Sequence, residues 1–353
     1  MKLLNIRSIN VKLAILSLMH FATDGACAYI VFTKLYPENP GLAAITFVAY
    51  NLLAFVTQSP VGLLIDKYPK PKLMLGVSTL LLSLGYLCSD VCILAVFFIG
   101  MANSLFHVAG GKYVTSKSGN DISHLGIFVS TGAVGLALGQ RYAGALALII
   151  VFFGITILGT AVMVLSKEEE DKEYPEEFKA QNNAKKLALL AVAGVVLARS
   201  FVGKIMSYSF TAGEYTFLAI ALATALGKAM GGIFSKLVGI KWTSIVSMSI
   251  AAMCLTLGTG SQIAFVLGVF AFNFTMPLTL YFANILLKGK EGFAFGTLAA
   301  FLVPGYFFAM PFKYSIAFKV LTALICLLSC AVIIYTLRRI RKDDASPDTN
   351  CDP

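Results

Sequence analysis

Twelve apolar runs follow one another along this chain, separated by short turns, and no other feature restricts its fold as much. A bilayer core is crossed by about 20 helical residues, and no water is available inside it to satisfy backbone polar groups. Each run must therefore close its own hydrogen bonds as a helix. The runs are placed at residues 11–33, 42–65, 73–87, 91–111, 123–140 and 142–165, then at 187–208, 215–237, 243–257, 263–287, 292–310 and 314–337. The composition agrees: 58% of the residues are hydrophobic, 13% are charged, and the mean hydropathy is +0.81. A soluble protein of 353 residues has no interior large enough for so much apolar surface.

The fold class expected is thus an all-α integral membrane protein, multi-pass in the cytoplasmic membrane. Its net charge of +10 lies in the turns between runs. No basic stretch is interleaved with aromatics outside the apolar segments, so the charge reads as membrane topology rather than nucleic-acid binding. With the N-terminus inside, most of the 28 Lys and Arg fall on the inner side, which predicts that both termini are cytoplasmic. The N-terminal run has no small-residue cleavage site behind it and is read as the first span. The one long hydrophilic stretch, 166–186, separates a bundle at 1–165 from a second at 187–342, and a polar tail at 343–353 is expected to be disordered. Cys88/Cys92 and Cys326/Cys330 pair along single helices, but no CxxC or His–Cys spacing suggests a metal site, and no cofactor is expected.

Between the second and third runs lies a charged turn at 62–72. Gly62 permits close helix approach, Asp66 can accept from amides at a helix N-terminus, and Lys67, Lys70 and Lys72 hold the loop on one side of the membrane. The spacing of Gly62, Asp66, Lys67 and Lys70 resembles the gating loop after the second helix of major facilitator superfamily transporters. Pro69 and Pro71 depart from that pattern and stiffen the turn. A weaker copy follows at 232–241, where Lys236 stands in place of the aspartate. The resemblance implies twelve transmembrane helices in two pseudo-symmetric six-helix bundles, with a solute site near the midplane and alternating access.

Ionisable side chains are costly in lipid and usually face a bundle interior or water. His20 and Asp24 share a face of the first span at i,i+4 spacing, with Asp24 near mid-membrane, and are the candidate proton-coupling pair. The alternative is a structural aspartate bonded to neighbouring helices. Asn103 and His107 lie one turn apart on the fourth span. Phe106-His107, with His124-Leu125-Gly126 further on, resembles the fosmidomycin-resistance branch of the superfamily, although Val108 stands where that branch usually has proline. His107 is either a substrate or proton ligand or a satisfied core histidine. Arg199 and Lys228 sit at depth in the second half, and Lys228 precedes Gly232 by the same four residues that separate Gln58 from Gly62. His107, Asn103, Arg199, Lys228 and Gln58 are the substrate-binding candidates; the two cations suit an anionic group or pair with Asp24 as a gate.

Gly126, Gly135 and Gly139 on the fifth span resemble the antiporter signature of drug/proton exchangers in the superfamily, with Gln140 and Ala143 departing from it. The same glycines serve equally as helix-packing positions. Pro277 and Pro304 should kink the tenth and eleventh spans. No Walker, GxSxG or HExxH sequence is present. The reading is a non-enzymatic secondary transporter, monomeric, moving a small solute by proton-coupled efflux. A proton-coupled importer of a small organic anion is the alternative. An intramembrane lipid-modifying enzyme is remote, because His20, His107 and His124 are dispersed along the chain.

Overall fold

The computed structural model describes residues 8–36, 40–119, 121–167, 183–207, 214–258, 260–313 and 315–345. Among these residues ten helices are long and apolar enough to cross a membrane: α1 (Ile9–Leu35), α2 (Ala43–Lys67), α4 (Cys92–Ser118), α5 (Ile122–Arg141), α6 (Leu146–Leu165), α7 (Lys185–Met206), α8 (Tyr215–Val238), α10 (Gln262–Leu286), α11 (Glu291–Ala309) and α12 (Ile316–Lys342). Two shorter apolar helices, α3 (Pro71–Leu87) and α9 (Ile240–Thr256), complete the twelve. Each has 17 residues, or about 26 Å at 1.5 Å per residue, a little under an average bilayer core. Most of the 166–186 linker and of the 343–353 tail lies outside the described residues. Where the linker begins, Lys72 and Lys12 reach the carbonyls of Ser166 and Lys167 at 2.7 and 3.2 Å, placing two cations on the negative end of α6.

Three helices are interrupted, two of them for a reason written in the sequence. Pro277 and Pro304 lack the N–H that would bond four residues back. Accordingly α10 breaks between Phe272 and Thr275, and α11 at Phe301. The third interruption, in α5 at Thr131, needs no proline: the Thr131 hydroxyl donates to the Ser17 carbonyl of α1, and the helix restarts at Gly132. Helices α1 and α2 also widen into a π-type turn, at Val31–Leu35 and Leu52–Val56. Such turns concentrate near functional sites.

The first six helices and the last six meet along α2/α11, α5/α8, α4/α11 and α5/α10. The largest apolar cluster crosses this seam, with Phe106 and Phe128 from one side and Phe282 and Phe295 from the other. Phe128 and Phe295 stand 6.3 Å apart between ring centres. Side chains such as Ile93 and Ile263, both 82% exposed, project outward, as expected of a surface solvated by lipid tails.

Candidate functional site

At the centre of the first half, three side chains from two helices converge on one carboxylate. Helical spacing puts His20 and Asp24 on the same face of α1, and Asn103 and His107 on the facing side of α4. His20 Nε2 lies 3.3 Å from Asp24 Oδ2, His107 Nε2 lies 3.5 Å from Oδ1, and Asn103 Nδ2 donates to Oδ1 at 3.0 Å. The two imidazoles stand edge to face, 4.6 Å apart. The Cys27 thiol is 3.9 Å from Asn103 Nδ2, donates to the Ile99 carbonyl at 3.8 Å and lies near Tyr50 of α2. His20, Asn103 and His107 are buried, and the Asp24 side chain is 15% exposed.

The protonation of this cluster follows from its geometry. His20 Nδ1 meets the Phe128 carbonyl at 2.8 Å, and His107 Nδ1 meets the Asn103 carbonyl at 2.9 Å. A carbonyl oxygen only accepts, so both Nδ1 atoms carry hydrogen. A neutral imidazole then presents a bare lone pair at Nε2, and both Nε2 atoms face carboxylate oxygens. Lone pair against lone pair repels; the contact becomes attractive only with a cation between them. The cluster is therefore a place that holds positive charge, with room for a proton on each His–Asp edge.

The second half contributes two cations at depth, Arg199 and Lys228. Arg199 of α7 is buried, and its Nη1 has no hydrogen-bond partner among the described residues. Lys228 of α8 lies within electrostatic reach of Arg199, His107 and Asp24. Neither cation stands at ion-pair distance from Asp24, whose near partners are the two histidines and Asn103. Gln58 is fully buried but turns its amide onto the Ala54 carbonyl of its own helix, away from this group.

Both ends of the seam are also occupied. At the end carrying the 62–72 turn, Asp66 accepts from the amides of Gly292 and Phe293, the first turn of α11, at 2.9 and 2.8 Å. It also takes the Lys112 ammonium of α4 at 2.6 Å. Three donors, two of them at a helix N-terminus, surround one carboxylate. Gly62 makes the approach possible, since a Cβ there would overlap the Gly292 backbone. Lys67 lies over the Tyr68 ring and Lys70 is exposed, so the charge that meets Asp66 comes from Lys112 instead. On the other side of the same end, Lys236 of α8 meets Asp121, the N-cap of α5, at 2.6 Å. A Cβ on Gly126 would come within 2.7 Å of the Lys228 carbonyl, so α5 and α8 touch through backbone. Gly135 and Gly139 play a similar part within the first half, against the Phe21 and Gly25 carbonyls of α1. At the opposite end the closure is aromatic: Phe47 of α2 stacks near Tyr306 and Phe307 of α11, at 5.6 and 6.5 Å.

Sequence reasoning missed three participants. Gly132 leaves the gap into which Asp24 and His20 fit, and a methyl group there would collide with both. Its signal was present as one more glycine in the α5 series. Lys112 and Gly292 carried no signal, since their role exists only once α2, α4 and α11 are side by side.

Twelve helices in two facing sets, with ionisable groups held in their interior, define a polytopic secondary transporter rather than an enzyme. Residues 13–213 match the model of the Major Facilitator Superfamily, and the chain belongs to that family. Its fold is similar to that of the E. coli fucose:proton symporter FucP, with a TM-score of 0.69 at 13% identity over 94% of this chain and 99% of that one. The human organic anion transporter MFSD10 is similar over the same shares of both chains, with a TM-score of 0.67 at 11% identity. No curated protein matches the sequence.

Proposed function

We propose that the protein is a proton-coupled transporter of the cytoplasmic membrane that exports a small solute as its two six-helix halves, 1–165 and 187–342, rock about the Asp24 cluster. The observation that carries this reading is the pair of imidazoles, both committed through Nδ1 to backbone carbonyls and both facing Asp24 through Nε2. One proton entering this cluster neutralises it and a second makes it positive, and their release to the other side restores the original charge, so solute movement gains a reason to depend on a proton gradient. The Asp66 end, with the termini and the 166–186 linker, is then the cytoplasmic one by its basic turns. The protein works as a monomer in this scheme, since the pathway lies within one chain.

A second reading is favoured by Arg199 and Lys228, two cations that repel each other with no anion between them in the described residues. On that reading the solute is a small organic anion, imported with protons. One experiment separates the two: flux of small anions and drug-like compounds into proteoliposomes under an imposed pH gradient, with simultaneous recording of proton movement. Counterflow supports export, and co-directional flow supports anion import. Solute movement indifferent to the gradient overturns proton coupling in both.

A further inference from the structure

The two bare Nε2 lone pairs and the Asp24 carboxylate are also a ligand set. We infer that His20, Asp24 and His107 bind one divalent transition-metal ion of the zinc class, between α1 and α4 within the first half, at the position the protons otherwise hold. Two observations support this. One ligand atom from each of the three residues can be chosen so that all lie within 4.8 Å of one another. Ligands about 2.0–2.2 Å from a tetrahedral ion stand about 3.3–3.5 Å apart; His20 Nε2 is 3.3 Å from Asp24 Oδ2 and His107 Nε2 is 3.5 Å from Oδ1, so each imidazole already stands at that spacing from one carboxylate oxygen. Rotation of the side chains brings both onto one ion.

The surroundings are those of a prepared site. Metal-binding histidines characteristically donate their other ring N–H to a backbone carbonyl or carboxylate, which fixes the tautomer and aims the lone pair. Both histidines do so here. Asn103 steadies the carboxylate from outside at 3.0 Å, and its own Oδ1 is buried without a partner among the described residues. Gly132 keeps the space beside Asp24 and His20 clear.

Charge does not forbid the ion. Lys228 acts on the cluster from the second half, and Cys27 and Tyr50 lie near it in the first. Exchanging two protons for one dication leaves the net charge of the cluster unchanged, so these neighbours meet the same field. Two imidazoles and a carboxylate suit zinc, nickel or cobalt(II), whereas magnesium and calcium prefer all-oxygen shells. Three ligands also leave a coordination position open to water or to an anionic solute.

The test is equilibrium binding to the purified full chain, carrying no polyhistidine tag, and needs no gradient, so its outcome is independent of whether protons drive transport. Zinc should bind with one-to-one stoichiometry and magnesium should not. His20→Gln and His107→Gln should each weaken zinc at least tenfold, while His124→Gln, the third histidine of the chain, should leave it unchanged. Because a core variant can misfold, cobalt(II) binding to the unaltered protein gives a second readout. Its X-ray absorption should show two imidazole ligands. Absence of one-to-one zinc uptake, retention of binding in the His20→Gln/His107→Gln double variant, or a cobalt shell without imidazole overturns the inference.

Discussion

Asp24 is only 15% exposed, and its two imidazole neighbours offset its charge only when a cation lies on the shared edges. Replacing it tests this directly. Asp24→Asn keeps the shape and the bond to Asn103 but removes the charge that draws protons in. Gradient-driven flux should fall by tenfold or more, about the effect of 1.4 kcal/mol, while the melting temperature stays within a few degrees. Flux that persists in a folded Asp24→Asn protein would show that the proton enters elsewhere. Gly132→Ala probes the same cluster without altering a ligand. The added methyl overlaps the Asp24 and His20 side chains, which are held by their bonds to Asn103 and to the Phe128 carbonyl and must shift to admit it. Flux should be impaired by a comparable factor, measured alongside detergent-solubilised yield and melting temperature. The pairing of His20 with Asp24 was legible from their i,i+4 spacing on one apolar helix. That Asn103 and His107 would join the same carboxylate was not, because no local periodicity reports which face of α4 meets α1.

Among the elements, the contacts at the Asp66 end decide how firmly the seam is held. Asp66→Asn leaves Lys112, a buried cation, without its closest counter-charge and gives α11 a weaker acceptor. Lys112 and Asp66 belong to the same half, so what crosses the seam here is the pair of α11 amides on Asp66; a neutral acceptor holds them more weakly by about 1 kcal/mol, and the closed arrangement should lose population. Spin labels at Tyr68 and Lys288, both exposed, should report a longer or broader distance distribution in that variant. An unchanged distribution would mean that glycine packing alone holds the end. Asp121 behaves differently with pH. Burial raises its carboxyl, but the Lys236 ammonium and two bonds from Ser123 outweigh this and hold it below the usual carboxylate value. A depressed folded value makes the contribution complete above the unfolded pKa of about 3.9 and lost as pH falls through the folded one. Lys236 is 58% exposed, so solvent screening limits the pair to about 0.5 kcal/mol. Asp121→Asn should therefore lower the melting temperature only slightly, by the same amount at pH 5 as at pH 8. A difference between the two would assign the pH sensitivity of this end to Asp121. The breaks in α10 and α11 were readable four residues ahead of Pro277 and Pro304; the one in α5 was not, since a threonine bonded to another helix makes it.

At the scale of the molecule, transport by rocking requires α2 and α11 to part. Ser59 and Thr297 face each other across that seam with their hydroxyls 3.2 Å apart. A Ser59→Cys/Thr297→Cys pair, in a background freed of other reactive thiols, should cross-link on oxidation and stop flux, with recovery on reduction. Continued flux with the link closed would exclude separation along this seam.

The sequence alone determined that the chain lives in a bilayer, that its backbone is helical, and roughly where each helix lies, because hydrophobic length and backbone satisfaction are local properties. It also marked the turn at Gly62 and Asp66 and the buried ionisable residues, whose cost in lipid makes them conspicuous wherever they occur. Only the tertiary structure decided their partners. Asp66 meets Lys112 and the first turn of α11, and His107 meets Asp24 and His20, through contacts between residues far apart in the chain. Which lone pairs face each other depends on helix rotation about the axis and on backbone carbonyls of a third helix, and neither is written in the order of the residues.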